Sequence, residues 1–213
     1  MNLTAFSMIA GVPIRYARTK DHPYGTQGKP RTQQVTEEFL EKLDDCFTEL
    51  WNVCPHGKAE SITSGGAYVE KAGRHGEGRA IDIDAIWWAN KVLITAGYNE
   101  HKRFYLGVEA IIRRHLGTVL GYLYNKAHHD HWHIDDGTEV KFTIRSRSRV
   151  MFMQAALLHI WGKHIAIDGI YGPATDGALR TCLDVNASVS YSEVWREWLL
   201  RTAVMGMGQK KEG

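Results

Sequence analysis

Two runs dense in histidine and aspartate, RHGEGRAID over Arg74–Asp82 and HHDHWHID over His128–Asp135, stand roughly fifty residues apart in a chain of 213. Two imidazoles and a carboxylate are enough to hold a zinc ion, and a catalytic zinc commonly keeps three such ligands with a fourth position open for water. If the two runs serve one ion, the intervening chain must fold so that they meet. The first run leads into Ala80-Ile81-Asp82-Ile83-Asp84, whose alternation reads as a strand.

Around these runs the mixture of patterns suggests an α+β protein. Residues 1–34 carry Pro13, Pro23, Pro30 and several glycines and are expected to form an irregular arm. Thr36 suits a helix N-cap, and Glu37 and Glu38 favour the positive end of the helix dipole. Phe39, Leu40, Leu43, Phe47, Leu50 and Trp51 then recur at helical spacing before Pro55. A second helix is expected over Arg103–His115, and Thr118–Tyr124 and His131–Ile134 read as strands joined by a polar turn through Asn125 and Lys126. Beyond Arg149 the pattern turns helical at Val150–Ile160, Thr175–Leu183 and Ser192–Val204. Two domains are therefore expected, residues 1–145 and 149–206, with the basic stretch Lys141–Arg149 as the linker.

A formal charge of +2, with 44% hydrophobic and 23% charged residues, is ordinary for a globular protein and lacks the clustered basic face that nucleic acid requires. No apolar run approaches the roughly 18 residues of a membrane span. Neither nucleic acid nor a membrane is expected as a partner, and the chain is expected to be a monomer. Met1–Pro13 lacks the basic flank and long apolar core of a signal peptide, so synthesis in the cytoplasm without one is expected. The cysteines Cys46, Cys54 and Cys182 are odd in number, and the first two lie about 12 Å apart along one helix, so all three read as reduced thiols. No local motif supports a cysteine nucleophile.

His75-x-x-Gly78-x-Ala80-x-Asp82 is similar to the first zinc motif of the D-alanyl-D-alanine carboxypeptidase family of peptidoglycan peptidases, and Asp130-His131-Trp132-His133 to its second. Four fixed positions in an eight-residue window arise by chance in roughly one chain per thousand of this length. Within that family the chain resembles the extensin-like branch in Gly65-Gly66-Ala67-Tyr68, in Gly117-Thr118-Val119-Leu120 and in the run His129–Asp135. The resemblance spans about Ser61–Asp136 and implies a hedgehog or D,D-peptidase-like α+β fold with a small mixed or antiparallel sheet. It implies that His75, Asp82 and His133 bind Zn2+, that Asp130 is the general base and acid, and that His131 supports the polarised carbonyl or the water. Ser64, Lys71 and Arg74 are the expected substrate contacts. The arginine common upstream of the first histidine in that family has no counterpart between Thr32 and Gly73, so Lys71, Arg74 or Arg79 stands in for it. Strand alternation puts positions 131 and 133 on one face and 130 on the other, so a bend or bulge is expected to re-aim Asp130. His128, His129, Asp84, Asp135 and Asp136 are expected to be supporting or surface groups.

Val150–Leu183 carries Met153-Gln154-x-x-Leu157, the run Ile167–Thr175 (IDGIYGPAT) and Ala178-Leu179, and resembles the three-helix peptidoglycan-binding domain of wall hydrolases. Gly169 and Gly172 suit tight turns, Pro173 a helix start, and Thr175 the capping of its free amides. Tyr171, with Trp161 or Trp195, is the expected glycan contact. Together the resemblances imply an endolysin-like zinc peptidase, endopeptidase or carboxypeptidase, that hydrolyses an amide bond in the stem or cross-bridge of bacterial peptidoglycan. Such a chain would reach the periplasm or cell wall through a holin or a specialised secretion machine. The rival reading is a non-catalytic, zinc-containing wall-binding protein.

Overall fold

In the computed structural model, which describes residues 2–183 and 188–208, the segment expected to be an irregular arm is instead built of short strands. These are β1 (Thr4–Phe6), β2 (Met8–Ile9), β3 (Val12–Tyr16), β4 (Lys29–Pro30) and β5 (Gln33–Val35). Ala10 and Gly11, at φ of 48° and 69°, turn β2 back onto β3, and Val12 and Ile14 then bury alternate side chains. Pro30 is tolerated because β4 is a two-residue edge strand, where a missing amide donor breaks no ladder.

The first expected helix is present as α1 (Glu37–Val53), with Phe39, Leu43, Phe47 and Leu50 fully buried along one face. Its N-cap is Thr36, but the hydroxyl makes no capping bond. The Thr36 amide instead donates to the Gly78 carbonyl at 2.8 Å, which ties the start of α1 to the loop that carries His75. Cys46, Cys54 and Cys182 are all buried.

The remaining elements are β6 (Ser61–Gly66), β7 (Ala80–Trp88), β8 (Lys91–Ile94), α2 (Lys102–His115), β9 (Thr118–Leu120), β10 (Trp132–Asp135), α3 (Arg147–His159), α4 (Pro173–Arg180) and α5 (Ser192–Met207). Strands β1 and β5 pair with each other. The other eight form one sheet in the order β2-β3-β6-β7-β10-β9, with β4 added to β3 and β8 to β7. The β3–β6 pairing is parallel and the other pairings are antiparallel, so the sheet is mixed and the protein α+β, with five α-helices among the described residues. Strand β9 stops well short of Tyr124, whose amide donates to the Gly121 carbonyl at 2.9 Å and closes a turn, and Gly121 itself lies against Tyr105 and Trp132 with no room for a Cβ. The chain turns there and continues as a 3-10 turn at Lys126–His128.

The stretch read as a linker, Lys141–Arg149, ends inside α3 with Ser148 and Arg149 buried. Gln154 of α3 organises the loop before α4. Its Oε1 accepts from the Asp168 and Gly169 amides, and its Nε2 donates to the Asp168 carboxylate, the Ile170 carbonyl and the Thr175 hydroxyl. Thr175 is therefore a buried acceptor for Gln154; the N-cap of α4 is Gly172, followed by Pro173. Helix α5 crosses α2 closely enough that a Cβ on Gly206 would lie 2.7 Å from the Arg103 carbonyl oxygen. Trp195 and Trp198 stack at 5.4 Å and pack edge-on with Phe152, in one apolar core continuous with that of the sheet. Among the described residues no helix is long and apolar enough to cross a membrane.

Candidate metal centre

The sheet order brings the two histidine-rich runs together. β7 and β10 pair antiparallel with Asp82 directly opposite His133, so the two side chains share one face of the sheet. His75 comes from the loop between β6 and β7, and local backbone geometry explains the spacing of its motif. Gly78 takes φ of 64°, which an L side chain adopts with strain, and Ala80 is fully buried where β7 begins. Gly76 passes so close to the Lys71 carbonyl that no Cβ fits.

His75, Asp82 and His133 converge. His75 Nε2 lies 3.1 Å from His133 Nδ1 and 3.2 Å from Asp82 Oδ1, and His133 Nδ1 lies 3.0 Å from the same oxygen. Bonds of about 2.0 to 2.1 Å at tetrahedral angles put ligand atoms about 3.3 Å apart, so this triangle is the size of one face of a zinc tetrahedron. The far ring nitrogens fix the tautomers. His75 Nδ1 donates to the Ala67 carbonyl at 2.6 Å, and His133 Nε2 donates to Asp135 at 3.0 Å. The two facing nitrogens are then lone-pair acceptors beside a carboxylate, and three acceptors in such contact call for a cation. The residues present therefore fit a zinc ion. In the metal-free protein a proton plays part of that role: burial opposes protonation of His133, but its bonds to Asp135 and Asp82 outweigh it and raise the imidazole to about 9. Burial likewise opposes ionisation of Asp82, yet His133 and His75 hold its carboxyl far below the usual range.

Asp130 and His131 precede β10, so strand alternation does not govern Asp130. The expected bend is there, but it does not aim Asp130 at the ligands. His131 Nε2 lies 3.8 Å from Asp82 Oδ1, while its Nδ1 bonds Asp130 Oδ1 at 2.7 Å. Asp130 thus joins the centre through His131. Its other oxygen accepts from Arg18 Nη1 at 2.9 Å, and Arg18 is itself clamped by Asp84 at 2.7 and 2.8 Å. Burial favours the neutral Asp130, but the His131 and Arg18 bonds prevail and lower it. Thr95 completes the support, its hydroxyl contacting the carbonyls of Asp84 and Asp130 at 2.9 and 2.7 Å.

Arg18 was not visible in the sequence because it follows β3 in a segment read as irregular, although the alternating Val12–Tyr16 just before it is a strand signal. His128, expected to be a supporting or surface group, lies beside the centre: its ring centroid is 5.2 Å from that of His131 and 6.0 Å from that of His133. Burial, with His131 and His133 nearby, lowers it. Asp135 supports His133 as expected, and His129 stacks on Tyr122.

The expected substrate contacts are not brought together. Ser64 is fully buried at an irregularity between β6 and β7, where its hydroxyl donates to the Asp82 carbonyl, so it shapes the strand behind a ligand. Arg74 is occupied by Glu77 and the Gly137 carbonyl, and Arg79 by Glu38 and Asp136. Lys71 is exposed on the loop leading to His75. Tyr171 donates its hydroxyl to Asp176 and packs its ring against Phe142.

No curated protein and no solved structure matches the chain. Residues 62–144, the stretch that carries His75, Asp82, Asp130, His131 and His133 but not Arg18, match the family described as the extensin-like protein C-terminus.

Proposed function

We propose that the protein is a zinc peptidase that hydrolyses an amide bond in the peptide stem or cross-bridge of bacterial peptidoglycan. The observation that carries this reading is the convergence of three acceptor atoms at 3.0 to 3.2 Å beside a second, carboxylate-bound imidazole. Zinc held by His75, Asp82 and His133 would supply Lewis acidity, lowering the pKa of a water and polarising an amide carbonyl. Because Asp130 accepts the Nδ1 proton of His131, the Nε2 lone pair is left to take a proton from the attacking water and return it to the departing amine. This assigns the proton transfer to His131 and the fixing of its tautomer to Asp130, where the motif alone suggested Asp130 as the base. Arg18 keeps Asp130 ionised and on station.

The finer architecture follows the same reading: a D,D-peptidase-like sheet domain carrying a helical wall-binding region over residues 149–206, delivered to the wall by a holin or a secretion machine. The test is mass spectrometry of soluble muropeptides incubated with the protein, with and without a chelator or a thiol alkylator. Cleavage that the chelator abolishes and the alkylator spares is expected. A protein that holds zinc stoichiometrically yet leaves every muropeptide intact would sink the peptidase reading in favour of a zinc-containing wall-binding protein.

A further inference from the structure

Away from the metal centre, a cleft of about 280 Å³ opens between strand β9 and the N-terminal turn of α3, and its lining includes Arg113, Thr118, Thr138, Arg145, Ser146 and Arg149. No acidic side chain lines it. Arg113 has a counter-charge, since its guanidinium bonds Glu109 at 2.7 Å. Arg149 makes no close ion pair among the described residues, although it is only 6% exposed, and Glu139 attracts it only at longer range. Its Nη2 donates to the Gly117 carbonyl, the Thr138 hydroxyl and the Glu139 carbonyl at 2.7 to 2.8 Å. The nearest carboxylate, that of Glu139, pairs with Lys141 instead. The buried Nη1 of Arg113, which also lines the cleft, has no hydrogen-bond partner.

A guanidinium buried without a counter-ion is unfavourable, and an anion seated against it would relieve that cost. The surroundings suit one. The helix-capping Ser146 and the first amides of α3 direct partial positive charge to the same place, and Arg145 adds a full charge at the exposed rim. Burial, with Arg113 nearby, outweighs the attraction of Glu139 and depresses Arg149 to about 10.

We propose that this cleft is a binding site for a compact oxyanion, a carboxylate or a phosphate, gripped by Arg149 and Arg145 at the α3 N-terminus. No ligand of the metal centre lines it, so the proposal stands apart from the peptidase reading and is tested on metal-free protein. The full-length chain, stripped with a chelator, is titrated with phosphate, acetate or chloride at constant ionic strength while the Arg149 Nε–H and the Arg147 and Ser148 amides are followed by NMR. A saturable shift with phosphate or acetate, absent with chloride, is expected; the stronger of the two names the ligand class as phosphate or carboxylate. Arg145→Glu, at an exposed position that leaves the fold intact, should weaken that binding at least tenfold, and Arg149→Met should abolish it. No saturable response to either oxyanion, or equal affinity in Arg145→Glu, overturns the proposal.

Discussion

At the scale of the residue, the arrangement around His133 makes metal binding and protonation competitors. Asp135 holds His133 Nε2, so that Nδ1 faces the ligand triangle. Loss of such a supporting carboxylate typically costs about 10- to 100-fold in metal affinity, and Asp135→Asn is expected to do the same, measured by competition with a chromophoric chelator. Because the metal-free imidazole titrates near 9, zinc must displace a proton below that pH. Apparent affinity should therefore fall by about tenfold per unit as pH drops from 9 towards neutrality. A pH-independent affinity over that range would mean that His133 holds no proton in the metal-free centre. Asp130→Asn keeps the shape that holds His131 but loses the charge. Turnover per bound zinc is expected to fall about 100-fold or more, with zinc content and thermal melt unchanged. His131→Ala should lose as much, because the two act as one unit; near-normal turnover in either would dismiss the assignment.

At the scale of the element, helices α1 and α2 are clamped where Glu49 meets Arg114 and His115, at 2.9 and 2.5 Å. Burial favours the neutral Glu49, but the His115 and Arg114 bonds overcome it and hold the carboxyl down to about 2. A carboxylate depressed in the folded state contributes stability above its unfolded value of about 4.3, and that contribution disappears as pH falls through the folded value. Glu49→Gln should thus cost about 1 kcal/mol at pH 7, discounted for partial exposure, and lower the melting temperature by a few degrees. The gap should close between pH 5 and about 2. Strands β7 and β10 show the same dependence of chemistry on elements: their antiparallel register, Asp82 opposite His133, puts residues 51 apart in sequence within bonding distance.

At the scale of the whole molecule, the C-terminal helices are packed onto the sheet domain. The α2–α5 crossing rests on Gly107 and Gly206, and a Cβ on Gly206 meets backbone on the facing helix. Gly206→Val should therefore push the helices apart and cost about 1 to 3 kcal/mol, read from denaturant midpoints at unchanged slope. The metal triad lies on other elements, so variant protein that remains folded should keep its zinc. A neutral substitution would mean that the crossing tolerates separation.

The sequence by itself singled out the three residues that converge in the candidate metal centre. His75, Asp82 and His133 sit in short motifs whose other members answer local demands: Gly78 a left-handed backbone, Ala80 a buried strand start, Asp135 a partner two residues from the histidine it holds. Periodicity likewise revealed α1, because burying one face of a helix imposes a repeat that the chain itself carries, whereas α3 is buried all round from Ser148 to Leu157. The N-terminal strands of two or three residues escaped notice because they are too short to show a period, and the alternation over Val12–Tyr16 is interrupted by Pro13. What only the tertiary structure decided is which distant groups complete each site. Arg18 reaches Asp130 across 112 residues, Ser64 turns inward to the Asp82 carbonyl, and Arg149 is buried without a close ion pair among the described residues. Those outcomes depend on the order of strands in a sheet and the approach of helices to it, and no local stretch of sequence encodes either.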